Sequence, residues 1–168
     1  MNGWKSRLKQ IGIVGGTGYT GVELLRMLVS HQGVEISCLT SRTEAGKTVA
    51  SLYPWLSHAA ELSFEEPSLD ALSSCDLVFY ATPNKIAMTE TRALLDRGVR
   101  VIDLAADFRF GDVSLWEATY GGQHGAPDLL HEAVYGLPEK YRDQIARARI
   151  VGNPGCYPTA TALALMPL

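Results

Sequence analysis

The sequence predicts an α/β fold, a doubly wound parallel sheet with helices on both faces. Three observations carry this expectation. Short, mostly apolar runs at 11–14, 34–39, 77–81, 99–104 and 149–151 read as strands buried in a sheet. Stretches with helical spacing alternate with these runs, the pattern of a layered α/β domain. The first run also stops at a cluster of glycines that opens a helix.

Taken in order, the first strand is Ile11-Gly12-Ile13-Val14. Val22, Leu25, Leu28 and Val29 then share one helix face, and Gly33, after His31-Gln32, is placed as the helix C-cap. A second strand covers 34–39, followed by a polar stretch over 40–47 and a poorly patterned segment as far as Glu61. Leu62-Ser63-Phe64 is expected as a short strand and 68–72 as a short helix. The strand over 77–81 closes at Thr82-Pro83, a helix over 86–96 ends at Gly98, and another buried strand covers 99–104. The region 105–148 is mixed, with helical stretches near 113–118 and 139–148. A last strand at 149–151 leads through the turn Gly152-Asn153-Pro154-Gly155 into a helix from Tyr157 that is still running at Leu168. No repeat, low-complexity tract or linker interrupts the chain, so one domain is expected, and the unfinished helix makes the chain read as a fragment.

A chain of 168 residues with 46% apolar and 20% charged residues can bury a core without disulfides or metal. The formal charge, 15 − 18 = −3, leaves no basic stripe for nucleic acid. No apolar run approaches the roughly 18 residues of a membrane span. The amino terminus MNGWKSRLKQ has no apolar core behind its charges, so no secretory leader is expected and the compartment is read as cytoplasmic. Cys38, Cys75 and Cys156 are widely spaced, with no C-x-x-C pair, which argues against a disulfide framework and against zinc. Cys38 and Cys75 fall in or beside apolar runs and read as buried small hydrophobes.

The strongest local signal is Gly15-Gly16-Thr17-Gly18-Tyr19-Thr20-Gly21, which holds G-x-G-x-x-G between a strand and a helix. Glycines there let the backbone turn and approach a pyrophosphate, while the helix start offers free N–H groups. An NAD-type site would place an acid at the end of the second strand, roughly 20 residues on. This chain has Thr40-Ser41-Arg42, hydroxyls and a guanidinium that suit a 2′-phosphate, so NADP(H) is the expected cofactor. Two decoys fail: Gly46-Lys47-Thr48 lacks the P-loop glycine, having Ser41 instead, and His131-Glu132 meets Tyr135 where a zincin needs histidine. No metal is expected.

Cys156 follows a strand and a glycine-proline turn and opens a helix, where the dipole and free N–H groups favour a thiolate. The carboxyl end of a strand is where ligands bind in such sheets, so this thiol and the glycine loop are expected to face one crevice. Cys156 is therefore read as a nucleophile. The four histidines, 31, 58, 124 and 131, are unconvincing as its base.

With these residues in view, the chain resembles the amino-terminal part of the N-acetyl-gamma-glutamyl-phosphate reductase family, NADP-dependent enzymes of arginine biosynthesis. The resemblance rests on Gly15 to Leu24, Ser41-Arg42 with Ala45-Gly46-Lys47, and Val101-Ile102-Asp103-Leu104-Ala105-Ala106-Asp107-Phe108-Arg109. Tyr135-Gly136-Leu137-Pro138-Glu139 adds to it, and most specific is Val151-Gly152-Asn153-Pro154-Gly155-Cys156-Tyr157-Pro158-Thr159-Ala160. It covers essentially all of this chain and about the first half of a family member.

The resemblance implies that Cys156 attacks an acyl phosphate, releases phosphate and forms a thioester that NADPH then reduces to the semialdehyde. It implies cofactor contacts at Gly15, Thr17, Gly18, Tyr19, Thr20, Gly21, Ser41, Arg42, Ala81, Thr82 and Pro83. Asn153 would shape the cysteine turn and, with Arg109, meet the substrate's negative groups, although a structural salt bridge for Arg109 is equally open. It further implies a dinucleotide-binding domain over 1–155, with 156–168 leading towards a substrate domain that holds the catalytic histidine. A homo-oligomer is expected of the full-length enzyme. Aspartate-semialdehyde-dehydrogenase-like and carrier-protein-linked acyl-phosphate reductases share the chemistry, and a non-catalytic NADP-binding protein needs only the glycine loop. A short-chain reductase is excluded, because no tyrosine has lysine four residues later.

Overall fold

In the computed structural model residues 7–167 are described; the amino-terminal residues 1–6 and Leu168, the last residue of the final predicted helix, lie outside the described residues. The chain divides into two compact units, Met1–Val78 and Phe79–Leu168.

In the first unit β1 (Lys9–Val14) leads to α1 (Tyr19–Leu28) and β2 (Val34–Thr40). The strands pair in parallel, Lys9 beside Val34 and Val14 beside Thr40, with an irregularity between Ile11 and Gly12. Leu24 and Leu25 on α1 are buried, as are Ile11, Ile13 and Leu39 on the strands. Two one-turn helices follow, α2 (Val49–Leu52) and α3 (Leu69–Leu72). Each starts at a hydroxyl cap, Thr48 accepting from the Ser51 N–H and Ser68 from the Ala71 N–H. β3 (Leu77–Tyr80) spans the division between the units.

The second unit contains α4 (Ala87–Asp96), β4 (Arg100–Asp103), α5 (Val113–Tyr120), β5 (Val134–Tyr135), α6 (Pro138–Arg147), β6 (Ile150–Gly152) and α7 (Cys156–Leu165). Here β6 lies between β4 and β5, with Val151 beside both Ile102 and Val134. The six strands form one parallel sheet in the order β2-β1-β3-β4-β6-β5, so the expected parallel α/β class holds, and the domain is Rossmann-like. Among the described residues no helix is long and apolar enough to cross a membrane.

Three local expectations need correction. Gly33 is not a helix cap: α1 ends at Leu28, and the Gly33 N–H donates to the His31 ring Nδ1 in a turn before β2. Leu62-Ser63-Phe64 forms no strand, because only single bridges join Ser63 to Thr48 and Glu65 to Thr40. β5 went unanticipated, since two residues are too few to show a period; its pairing with Val151 and Gly152 makes it a strand.

Candidate functional site

The glycine loop is held from below by one carbonyl. Thr40 O, at the end of β2, accepts from both Gly15 N–H (3.2 Å) and Gly16 N–H (3.0 Å). Gly15 takes φ +84°, a conformation side chains resist. A Cβ on Gly21 would stand 2.3 Å from Gly15 O, which is why the loop can fold back on the start of α1 only with glycine there. Gly18 differs: a Cβ there would find nothing nearer than Gly15 O at 3.8 Å. That open space lies at the N-cap of α1, which has no side-chain cap, so the first N–H groups of the helix point outward without partners in the helix. This is the shape and polarity a pyrophosphate needs. Thr20 is exposed, as is Tyr19.

The end of β2 is wired to the loop through hydroxyls. Ser41, only 4% exposed, shares a 3.1 Å hydrogen bond with the Thr17 hydroxyl and accepts the Glu44 N–H at 3.3 Å. Tyr53 donates its hydroxyl proton to Thr17 O at 3.0 Å. Arg42 beside them is exposed, while Lys47 is paired with Glu44. In the second unit, Ala81, Thr82 and Pro83 follow β3, and the Thr82 hydroxyl oxygen is buried without a partner.

Cys156 is the first residue of α7 and is exposed, whereas Cys38 and Cys75 are buried. Burial pushes the Cys38 thiol up to about 12, with Cys75 and Glu65 adding to it, and burial raises Cys75 as well. α7 has no side-chain cap at Gly155, which leaves the N–H groups of Cys156 and Tyr157 without helical partners. The turn before it is set by the segment after β4. Asn153 N–H donates to Asp103 O (2.8 Å), Asn153 O accepts from Arg109 Nε (2.7 Å), and a Cβ on Gly152 would stand 2.0 Å from Phe108 O.

That segment is organised by two buried aspartates. The Asp103 carboxylate accepts the N–H groups of Ala105, Asp107 and Phe108, while Asp107 accepts those of Lys85 and Met88. The second pair reaches the loop after β3, where Lys85 is the one described non-glycine residue with positive φ, +76°. His124, wedged between Phe108 and Trp116, accepts from Ala126 N–H on Nδ1 and so donates from Nε2 to Asp107 O at 2.8 Å. It packs between the two rings and ties the Asp107 and Ala126 backbone groups together. No sequence signal marks Tyr53, Asp103 or Asp107, since carboxylates and a tyrosine that serve backbone groups carry no spacing signature.

Burial first, and Asp107 second, raise the Asp103 carboxyl from 3.8 to about 6. In the unfolded chain it ionises near its ordinary value, so between about pH 4 and 6 the folded state binds more protons. Stability is therefore expected to fall as pH rises through that window, by about 3 kcal/mol from this group at 1.36 kcal/mol per pH unit. Urea melts of the parent chain and Asp103→Asn would show it: their stability difference should change across the window and be flat outside it. A difference independent of pH throughout contradicts the assignment.

Residues 10–148 match the family model described as semialdehyde dehydrogenase, NAD binding domain. The chain is 58% identical over 159 residues to N-acetyl-gamma-glutamyl-phosphate reductase of Thiobacillus denitrificans, covering 95% of this chain and 46% of that protein. The protein of the same name from Neisseria meningitidis is 54% identical over 163 residues, covering 97% and 47%. The chain thus spans about half the length of the curated relatives it matches. Among solved structures, aspartate semialdehyde dehydrogenase II of Vibrio cholerae complexed with ASA superposes with a TM-score of 0.68 at 19% identity, covering 96% of this chain and 46% of that one. Aspartate semialdehyde dehydrogenase with NADP from Candida albicans gives 0.65 at 17%, covering 95% and 46%. At those identities the likeness is one of fold.

Proposed function

From the premise that this chain belongs to the semialdehyde dehydrogenase NAD-binding domain family, we propose that it carries the cofactor loop and the nucleophile of an NADPH-dependent N-acetyl-gamma-glutamyl-phosphate reductase. The observation that carries the reading is Cys156, the one exposed cysteine, at the uncapped start of a helix within a chain 58% identical to a protein of that name.

The Cys156 thiolate attacks the acyl carbonyl, the carbon–oxygen bond to phosphate breaks, and phosphate leaves with that bond's electron pair. The product is a thioester on Cys156. The N–H groups at the start of α7 would steady the carbonyl oxygen as it gains charge. The reduced nicotinamide, when bound, supplies hydride to that carbonyl. Breaking the carbon–sulfur bond then releases the semialdehyde and returns the thiolate. Splitting the reduction through a covalent acyl group turns one hard step into two easier ones.

Gly15, Thr17, Gly18, Tyr19, Thr20 and Gly21 would hold the pyrophosphate, with Ala81, Thr82 and Pro83 as further cofactor contacts. Arg42 is free to reach a 2′-phosphate, and Ser41 supports the loop from its buried position. Fluorescence titration should show NADPH binding about tenfold or more tighter than NADH, the scale of one charge-assisted contact. Arg42→Ala should narrow that gap by most of its size. Equal affinity for the two cofactors in the parent chain would sink the NADP assignment.

A further inference from the structure

We propose that Tyr53 is a positioning residue for the cofactor's pyrophosphate, its hydroxyl latching the peptide between Thr17 and Gly18 so that the carbonyl of that peptide faces away from the phosphates. The proposal rests on the reading of the glycine loop as the pyrophosphate site. Tyr53 donates to Thr17 O at 3.0 Å, across 36 residues of chain. The two edges of a peptide plane carry opposite polarity, an N–H on one and a carbonyl on the other. With Thr17 O committed to Tyr53, the Gly18 N–H turns back towards Gly15 O at 3.4 Å, inside the loop. Gly18 has no Cβ to hinder rotation of this plane, so the loop alone does not fix which edge faces the uncapped start of α1. A carbonyl oxygen turned that way would repel a phosphate where an N–H attracts it.

The latch stands on a rigid base. Tyr53 ends α2, where its N–H donates to Val49 O at 2.7 Å and its carbonyl accepts from Leu56 N–H at 2.9 Å. Val49 and Leu56 are both buried. The Tyr53 ring meets Trp55 and Phe64 edge-on, with centroids 5.4 and 6.4 Å away. Phe64 in turn reaches the loop, 3.1 Å from where a Cβ on Gly16 would stand. The Thr17 hydroxyl is engaged separately, with Ser41 at 3.1 Å. The backbone of Thr17 thus answers to Tyr53, and its side chain to the end of β2. Burial, with Glu44 second, raises the Tyr53 hydroxyl above its ordinary value, so it remains a donor at neutral pH. These two contacts divide the cofactor between them: Ser41 and Arg42 go with the 2′-phosphate, and Tyr53 goes with the pyrophosphate.

The test compares ligand affinities of the 168-residue chain and of Tyr53→Phe. NADPH and NADH are titrated by fluorescence, and adenosine and adenosine 2′-monophosphate, which lack the pyrophosphate, by competition. Tyr53→Phe should weaken NADPH and NADH by the same factor, roughly fivefold, the scale of one neutral hydrogen bond. Affinity for the two adenosine ligands should not move. Placing 4-aminophenylalanine at position 53 keeps the ring and restores a donor, and it should return both dinucleotides to the parent's affinity. Unchanged dinucleotide affinity in Tyr53→Phe overturns the latch. An equal loss for the adenosine ligands means that the whole unit has loosened, and a loss for NADPH alone means an effect passed to the 2′-phosphate through Thr17 and Ser41. Either result rejects the pyrophosphate role of Tyr53, as does failure of 4-aminophenylalanine to restore binding. A parent chain that binds neither dinucleotide overturns the reading of the glycine loop itself, and the latch with it.

Discussion

Reductase turnover by these 168 residues on their own is expected to fall at least roughly a thousandfold below that of the Thiobacillus denitrificans relative, because positioning of a fully oriented pair is worth about 7–11 kcal/mol of barrier. The chain matches 46% of that protein. Hydride transfer needs the acyl carbonyl held at near-attack distance from the nicotinamide, and α7 around Cys156 is open. Tyr157 next to it is 84% exposed, Leu165 and Met166 at the far end of α7 are 58% and 47% exposed, and no residue of α7 is buried. Water reaching such a site weakens every oxyanion contact and hydrolyses an acyl-cysteine once formed. The assay is phosphate-dependent reduction of NADP with N-acetylglutamate semialdehyde, run beside the relative. Turnover within tenfold of the relative would show that the whole active site lies within these residues. Turnover with aspartate semialdehyde in its place would move the substrate assignment.

Alanine at Gly21 should cost both stability and NADPH affinity, whereas alanine at Gly18 should cost affinity alone. At Gly21 the new Cβ would meet Gly15 O at 2.3 Å and Gly16 Cα at 2.8 Å, both backbone atoms that Thr40 O holds in place. The loop must open or the helix must shift, and overpacking of this kind costs about 3 kcal/mol. Thermal melts should show the loss, and NADPH affinity should drop more than about a hundredfold, since 1.4 kcal/mol is a factor of ten. At Gly18 the φ of −71° suits any residue and the nearest atom is 3.8 Å away. Gly18→Ala should therefore melt within about 0.5 kcal/mol of the parent chain. Its NADPH affinity should nevertheless fall about tenfold, because the methyl would stand where a phosphate approaches the backbone. Full affinity in Gly18→Ala would contradict that approach.

Much of the fold was legible because its signals are local. Apolar runs over 11–14, 34–39 and 99–104 became β1, β2 and β4 with ends shifted by a residue or two. Gly98 takes φ +80° after α4, as expected of a residue ending a helix. Gly33 failed as a cap because a glycine after a helix is also simply a turn residue, and the ring of His31 provides the turn's acceptor. The span of β5 needed β6 beside it before its two residues could be recognised.

By itself the sequence determined which backbone stretches make strands and helices, that a glycine loop joins β1 to α1, and that Cys156 opens a helix. These follow from side-chain periodicity and from the steric freedom of glycine, properties carried within a few adjacent residues. Only the tertiary structure decided what surrounds them. It placed the Asp107 carboxylate against the backbone N–H groups of Lys85 and Met88, 22 and 19 residues away, and Arg109 against the Asn153 carbonyl, 44 residues away. It also buried Ser41 against Thr17 while leaving Arg42 exposed, although the two are adjacent in the chain. Burial and a carbonyl's choice of donor depend on which distant segments the sheet brings together, and no local pattern encodes that.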